Sequence, residues 1–417
     1  MKKSLIALAA LAAVSAASAQ SSVTLYGVLD IGYGSQTTEQ RATATGTAQL
    51  KSRGVMDGAN AGNRIGFRGT EDLGGGLKAN FVVEQGINPT GGGLFAGRAA
   101  TGAQQVAYPA AFTNNLGAVG AAPAANSISA STNRQTYIGL SGATWGTVNI
   151  GYQYNNLYEL ATLSGYNIGS EGVPGAYSSH VFGNTYLGGT RSNGLTYISP
   201  NFGGGFTVRV QYGANAGNME INNSTTAAGV QSFAEGRRWS LMGQYANGPL
   251  SAALAYTSNR VNTTAAVAPA TATGASRTGN LTQLGASYDF GVVKLAGTYN
   301  TGRDGGIGAA NFGAAAGTST AYRAYQLGLS APFGALVPYI TYGRAYATTD
   351  GVGARAIDIK QAQIGARYSL SKRTTAYAFY GTTTDNAAQS TVAALVAPTA
   401  ASIYRDKKTV IGVQHSF

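Results

Sequence analysis

Two histidines, His180 and His415, and no cysteine leave this 417-residue chain few groups for nucleophilic or metal chemistry. A serine hydrolase needs an imidazole held beside its nucleophile. His180 lies among Ser178 and Ser179 in a loop-like tract, and His415 shares a strand parity with Ile411 and Val413, so neither reads as a catalytic base. There is no His-x-x-x-His pair, no Walker lysine followed by Ser or Thr, and no dinucleotide fingerprint of strand, Gly loop and helix. Gly74–Gly76, Gly91–Gly93 and Gly203–Gly205 mark turns or loop. The Glu71–Asp72 pair lacks the second carboxylate set that a calcium site or glycosidase centre requires. The reading is of a non-enzyme with no cofactor and no metal. What the chain offers instead is arginine and lysine set at alternate positions, as in NRIGFRGTEDLGGGLKANFVVEQG, Asn63 to Gly86. Such groups do electrostatic work: they present charge to water from a ribbon whose other face is apolar.

The ribbon is read from its parity. Ile65, Phe67 and Gly69 fall on one face and Arg64, Arg68 and Thr70 on the other; Leu77, Ala79, Phe81 and Val83 oppose Lys78, Asn80, Val82 and Glu84. Period 2 predicts strands, with a turn over Glu71–Gly76 between them. The same alternation recurs from Val23 to Tyr33, Phe206 to Tyr212, Trp239 to Tyr245, Val293 to Tyr299 and Thr409 to Phe417. Tight turns are expected at Glu71–Gly76, Ser141–Gly146, Pro200–Gly205, Asn247–Pro249, Asp289–Gly291, Pro332–Ala335 and Leu370–Arg373. Long Ala-, Thr-, Asn- and Gly-rich loops are expected over Ser35–Gly62, Ile87–Thr132, Asn155–Thr190, Ala214–Gly236, Arg260–Gly279, Thr301–Ala321, Ala347–Arg355 and Thr382–Arg405; the tract Ala393–Ile403, broken by Pro398, reads as loop.

Composition agrees with strands that meet two solvents. With 60 Gly, 25 Tyr and 11% charged residues, the chain is too uncharged for an ordinary soluble domain, yet beyond its start it has no apolar run of 18 residues to serve as a membrane helix. Residues 1–19, MKKSLIALAALAAVSAASA, combine a basic start, an apolar run and the small-x-small end Ala17-Ser18-Ala19, the pattern of a cleaved secretory signal; residues 20–417 are then the mature domain. Loss of Lys2 and Lys3 takes the formal charge from +12 to +10. The basic residues are scattered, which argues against nucleic acid and leaves anionic solutes or a membrane surface.

Seven short turns alternating with eight long loops require sixteen strands, both ends lying on the short-turn side. That is the plan of a bacterial outer-membrane barrel: all-β, antiparallel, with short periplasmic turns and long extracellular loops. In hydrocarbon a sheet must close on itself to satisfy its backbone, and sixteen strands enclose an aqueous lumen. Parity sends Arg64, Arg68, Lys78, Arg209, Arg238, Lys294 and Arg367 toward that lumen.

SSVTLYGVLDIGYG, NRIGFRGTEDLGGGLKANFVVEQG, NRQTYIGLSGATWGTVNIGYQYN, RSNGLTYISPNFGGGFTV, ARYSLSKRTTAYAFYG and the terminal TVIGVQHSF resemble, in that order and over essentially the whole mature chain, the Gram-negative trimeric general-diffusion porins of betaproteobacterial type. The resemblance implies a homotrimer, a second loop reaching toward a neighbouring subunit, a third loop folded inward to narrow the pore, and passive diffusion of small hydrophilic solutes and ions across the outer membrane. Outer-membrane lipid and lipopolysaccharide are its implied surroundings. The terminal Phe417 matches the aromatic that the barrel-assembly machinery reads. In the family, wall arginines face acidic groups on the third loop; Arg64 and Arg191 match the wall positions and Glu159 in NLYEL an acidic one, with Glu171 nearby.

Arg134 matches the NRQ segment but shares parity with Ile138 and Leu140, so it either stands at the strand's start above the lipid or follows a bulge. Tyr152 stands where relatives often carry arginine. Arg64, Arg68, Arg134, Arg191, Glu159 and Glu171 are therefore the expected constriction residues, and the basic excess predicts mild anion selectivity. Two other readings stay open: a substrate-specific porin with a binding site in the constriction, or a surface adhesion or receptor barrel acting through its loops.

Overall fold

Strands with one apolar and one polar face can satisfy every backbone group in a membrane only by closing into a ring. The computed structural model shows that ring. It describes residues 22–42, 46–90, 133–163, 165–166, 168–170, 191–214, 221–225, 231–264, 274–303, 305, 319–350, 355–385 and 402–417. The expected leader over residues 1–19, Glu171, His180 and most of the second loop lie outside the described residues.

Eighteen strand segments form one sheet: β1 (Ser22–Ala42), β2 (Gly46–Asp57), β3 (Arg64–Gly74), β4 (Leu77–Gly86), β5 (Asn133–Gly142), β6 (Gly146–Tyr154), β7 (Arg191–Ile198), β8 (Phe206–Ala214), β9 (Ile221–Thr225), β10 (Gln231–Asn247), β11 (Leu250–Thr264), β12 (Gly274–Asp289), β13 (Lys294–Arg303), β14 (Thr320–Ser330), β15 (Leu336–Thr349), β16 (Arg355–Ser369), β17 (Thr374–Asp385) and β18 (Ser402–Ser416). Two of the barrel's strands are interrupted. One half of β1 pairs with β2 and the other with β3, and β8 and β9 both pair with β10. Eighteen segments less two interruptions give sixteen antiparallel strands, closed where β1 meets β18 from Val28↔Ser416 to Ala42↔Ser402.

All seven expected turns join neighbouring strands on one rim. The loops differ from expectation in extent. Much of Ser35–Gly62 is a hairpin, Ser35–Ala42 pairing with Gly46–Arg53, and strands also run into Ala214–Gly236, Arg260–Gly279 and Thr382–Arg405. Of Ala393–Ile403, Ser402 and Ile403 begin β18 and the rest lies outside the described residues. The physical reason is that, past the membrane, both faces of the wall meet water. Backbone pairing continues there without an apolar–polar alternation to announce it.

Among the described residues no helix is long and apolar enough to cross a membrane; the strands do the crossing. Their outward rows are exposed aliphatics such as Ile138 (60% exposed) and Ile411 (68%), which only a hydrocarbon solvent accommodates in such number. Phe417 joins this outer face at the closing seam, its ring lying over Gly27. The inward rows are polar, with Asn149, Gln211, Thr257, Gln283 and Gln326 covered. What covers part of that wall is the chain after β6, which turns into the barrel.

Candidate functional site

The inward loop starts as a short helix, Asn156–Tyr158, continuing as a π-turn over Glu159–Leu163. Asn155 caps it, its side chain accepting from Tyr158 N at 2.9 Å. The wall of β8 holds this root: Gln211 Oε1 accepts from Asn156 N (2.9 Å), Gln211 Nε2 donates to the Tyr154 carbonyl (2.8 Å), and Asn156 Nδ2 donates to the Arg209 carbonyl. Leu157, Leu160 and Tyr166 then pack against Met242, Ala253, Ala255, Leu281 and Tyr322 on the inner wall. Close approach is possible because the wall presents glycine. A Cβ on Gly285 would lie 2.4 Å from the Tyr166 ring, and one on Gly328 would lie 2.9 Å from Ile168 Cβ. The loop runs down toward the turn rim, where the Tyr166 hydroxyl meets Ser251 Oγ at 2.9 Å.

Among the described residues, six arginines and two carboxylates stand around the root. Glu84 on β4 accepts from Arg134 Nε at 2.7 Å, from the Tyr154 hydroxyl at 2.7 Å and from the Tyr26 hydroxyl at 3.0 Å. Arg64 lies within Coulombic reach of the same carboxylate, and Arg68 sits over the Tyr26 ring at 5.1 Å. Arg191 donates to the Arg134 carbonyl (2.8 Å) and stacks over Tyr154 and Tyr158 at 5.0 and 5.9 Å. Arg209 pairs with Glu159 of the loop at 3.2 Å. Arg238, 1% exposed, donates to the Arg191 carbonyl from behind. Cations thus outnumber anions on one side of the lumen, and a field across the pore follows from that imbalance.

At the tip the chemistry changes. Arg367 of β16 donates Nη1 to the Ile168 carbonyl and Nη2 to the Gly169 carbonyl, both at 2.9 Å, and Nε to Asn60 Oδ1 at 3.0 Å, with Tyr339 under its guanidinium at 4.5 Å. Ser170 N donates to Gln363 Oε1 (2.7 Å), and Ser170 Oγ meets Asn60 and Tyr339, each at 2.8 Å. Asn60 belongs to a second inward excursion, residues 58–63 between β2 and β3. It is shaped by the buried Asp30, which accepts from Asn60 N and from Ala61 N (2.6 Å).

Arg64, Arg68, Arg134, Arg191, Arg209 and Glu159 therefore converge at the loop root. Arg134 gets there through a bulge: Glu84 pairs with Gln135 and Gln85 with Asn133, so Arg134 is the extra residue and turns inward. Tyr152 keeps the outward parity of Val148 and Ile150, and Tyr154 is the aromatic that enters the cluster. Three of the lumen-facing charges behave differently from open pore charges. Arg238 is buried behind Arg191, on the stretch of β10 that the inward loop packs against; Arg367 is a clamp on the loop; Lys294 lies beside Gly165 of the loop. Lys78 is near the turn rim opposite Asp72 and Ser141, away from the loop. Glu84, Tyr154, Asp30, Asn60 and Ser170 were not among the expected site residues; Asp30 and Glu84 had the one usable signal, a carboxylate on the inward parity of a membrane-crossing strand.

The profile of the Gram-negative porins matches residues 7–388. Outer membrane porin protein 32 of Delftia acidovorans is 30% identical over 391 residues, covering 90% of this chain and 88% of its own. An outer membrane porin protein of Bordetella pertussis is 30% identical over 302 residues, 70% of this chain and 66% of its own length. Among solved structures, the anion-selective porin from Comamonas acidovorans aligns with a TM-score of 0.57 at 24% identity, over 95% of this chain and 100% of that one.

Proposed function

Because this chain belongs to the Gram-negative porin family, we propose that the arginine cluster at the root of its inward loop makes it a mildly anion-selective channel. The protein is an outer-membrane channel through which small hydrophilic solutes and ions diffuse passively. A pore of this kind sorts solutes by its radius and by the charges at its narrowest part. The observation that carries the selectivity reading is the surplus of Arg64, Arg68, Arg134, Arg191 and Arg209 over Glu84 and Glu159 around one segment of the lumen. The description of the Comamonas porin as anion-selective supports the same sign.

The reading extends to assembly. The leader over residues 1–19 is removed on export, Phe417 is read by the barrel-assembly machinery, and three copies associate in a bilayer containing lipopolysaccharide. These steps follow the family pattern.

Single-channel recording of refolded protein in a planar bilayer under a KCl gradient tests the selectivity. An anion-selective reversal potential, reduced in Arg64→Ala, is the expected result. A cation-selective sign would overturn the reading, and saturable uptake of one solute in liposome swelling would replace general diffusion by a dedicated binding site.

A further inference from the structure

The outer face of the barrel differs in chemistry at its two rims. On the loop side, outward rows run from aliphatic to aromatic to basic: Leu241, Trp239 and Arg237 on β10, Leu327, Tyr325 and Arg323 on β14, and Ile340, Tyr342 and Arg344 on β15. On the turn side the rows end on Phe206, Tyr288 and Tyr368, and Lys372 and Arg373 are confined to the last turn. Aromatic side chains settle at the level of lipid headgroups. The bases just beyond them stand among the headgroups of the loop-side leaflet.

The pattern is densest on β14–β16. Arg323 lies opposite Tyr346, Tyr346 opposite Asp358, and Arg344 opposite Lys360. Arg344 is held in a two-pronged pair, Nε and Nη2 each 2.8 Å from an oxygen of Asp358. Arg323 hydrogen-bonds the Tyr346 side chain, and Lys360 is exposed. Three bases thus face one carboxylate, and the excess is positive. Arg323 and Lys360 are two strands apart and offset by two residues along the strand, about 12 Å at the usual strand spacing and rise, with the Arg344 fork between them. Below the intervening Tyr325, Tyr342 and Ala362 lie Leu327, Ile340 and Ile364, exposed to hydrocarbon.

We infer that the outer face of β14–β16 binds a phosphorylated lipid of the loop-side leaflet, its headgroup phosphates on Arg323 and Lys360 and its acyl chains along Leu327, Ile340 and Ile364. Guanidinium and ammonium groups are suited to phosphate oxygens, and clustered bases at a membrane surface recruit anionic headgroups. The aliphatic row beneath the bases selects a lipid over a free phosphate. None of these side chains faces the lumen, so the site is independent of ion selectivity.

The test uses full-length protein refolded in phosphatidylcholine nanodiscs and titrated with bis-phosphorylated lipid A, with retained lipid read by native mass spectrometry. Arg323→Ser/Lys360→Ser should lower affinity roughly tenfold or more, from loss of two surface bases. Arg323→Lys/Lys360→Arg should restore it, Lys372→Ser/Arg373→Ser should leave it unchanged, and dephosphorylated lipid A should bind weakly. Heat-modifiable mobility and unchanged conductance establish that each variant is folded. Equal retention by Arg323→Ser/Lys360→Ser, equal loss in the turn-side variant, equal binding of the dephosphorylated lipid, or cross-linking of this face to a second copy would overturn the proposal.

Discussion

The described part of the inward loop is fastened at its root, near Asn155, and at its tip, near Ser170, and the two places use arginine for opposite purposes. At the root, Arg64 and Arg68 face the lumen beside Glu84 and the Tyr26 ring, and the cluster holds more cations than anions. At the tip, the Arg367 guanidinium is turned onto two backbone carbonyls and Asn60, with a tyrosine ring behind it. A guanidinium whose donors all point into protein fixes a chain in place, whereas one left partly in water contributes to the potential a passing ion meets. Residue type alone therefore says little about selectivity; the number of donors already engaged decides it.

Reversing charge should separate the two ends most sharply. Arg64→Glu/Arg68→Glu is expected to move the reversal potential to cation-selective sign, while Arg367→Met leaves the sign unchanged; a selectivity shift of equal size in both would erase the distinction. Next in size is a steric change between the ends. Gly285→Val places side-chain atoms where Tyr166 and Leu160 lie, so the loop is pushed into the pore and unit conductance falls with the sign of selectivity kept. Glu84→Gln leaves Arg134 buried without its counter-charge at the root, an effect of about 3–5 kcal/mol for a broken buried pair; a lower thermal unfolding midpoint would register it.

At the tip, Arg367→Met removes two charge-assisted bonds to carbonyls, worth about 1.5–3 kcal/mol each. Its expected signature is greater open-channel current noise, and unchanged noise would show that Ser170 and Gln363 suffice to hold the tip. The smallest effect is that of salt. Raising KCl from about 0.1 to 1 M shortens the screening length from about 10 to 3 Å, so anion preference weakens while current noise, if the tip is held by short-range bonds, stays the same.

The barrel was legible because its strands alternate and its turns carry Gly, Pro, Asn and Asp. Arg64, Arg68 and Arg209 were legible for the same reason, since a charge on a crossing strand has to avoid lipid. Arg134 was not settled by parity, because a single extra residue reverses the face. Arg238 has the same parity signature as an open pore charge, and only the packing around β10 reveals that it is covered. The clamp at the tip could not be read at all: Asn60, Ser170 and Arg367 are each more than a hundred residues from the next in sequence, and asparagine and serine carry no periodic signal. The rising hairpin of Ser35–Gly62 was missed because its Gln, Thr, Lys and Arg residues occupy both faces.

The clamp also bears on the order of assembly. Asn60 is oriented by Asp30 near the start of the barrel and by Gln414 near its end, the latter through a 2.6 Å bond, and Tyr377 of β17 donates to Asp30. The seat for the loop tip therefore exists only after the first and last strands have met. A barrel still open at its seam would lack this seat for the loop tip, so a seated tip is a built-in sign that closure is complete.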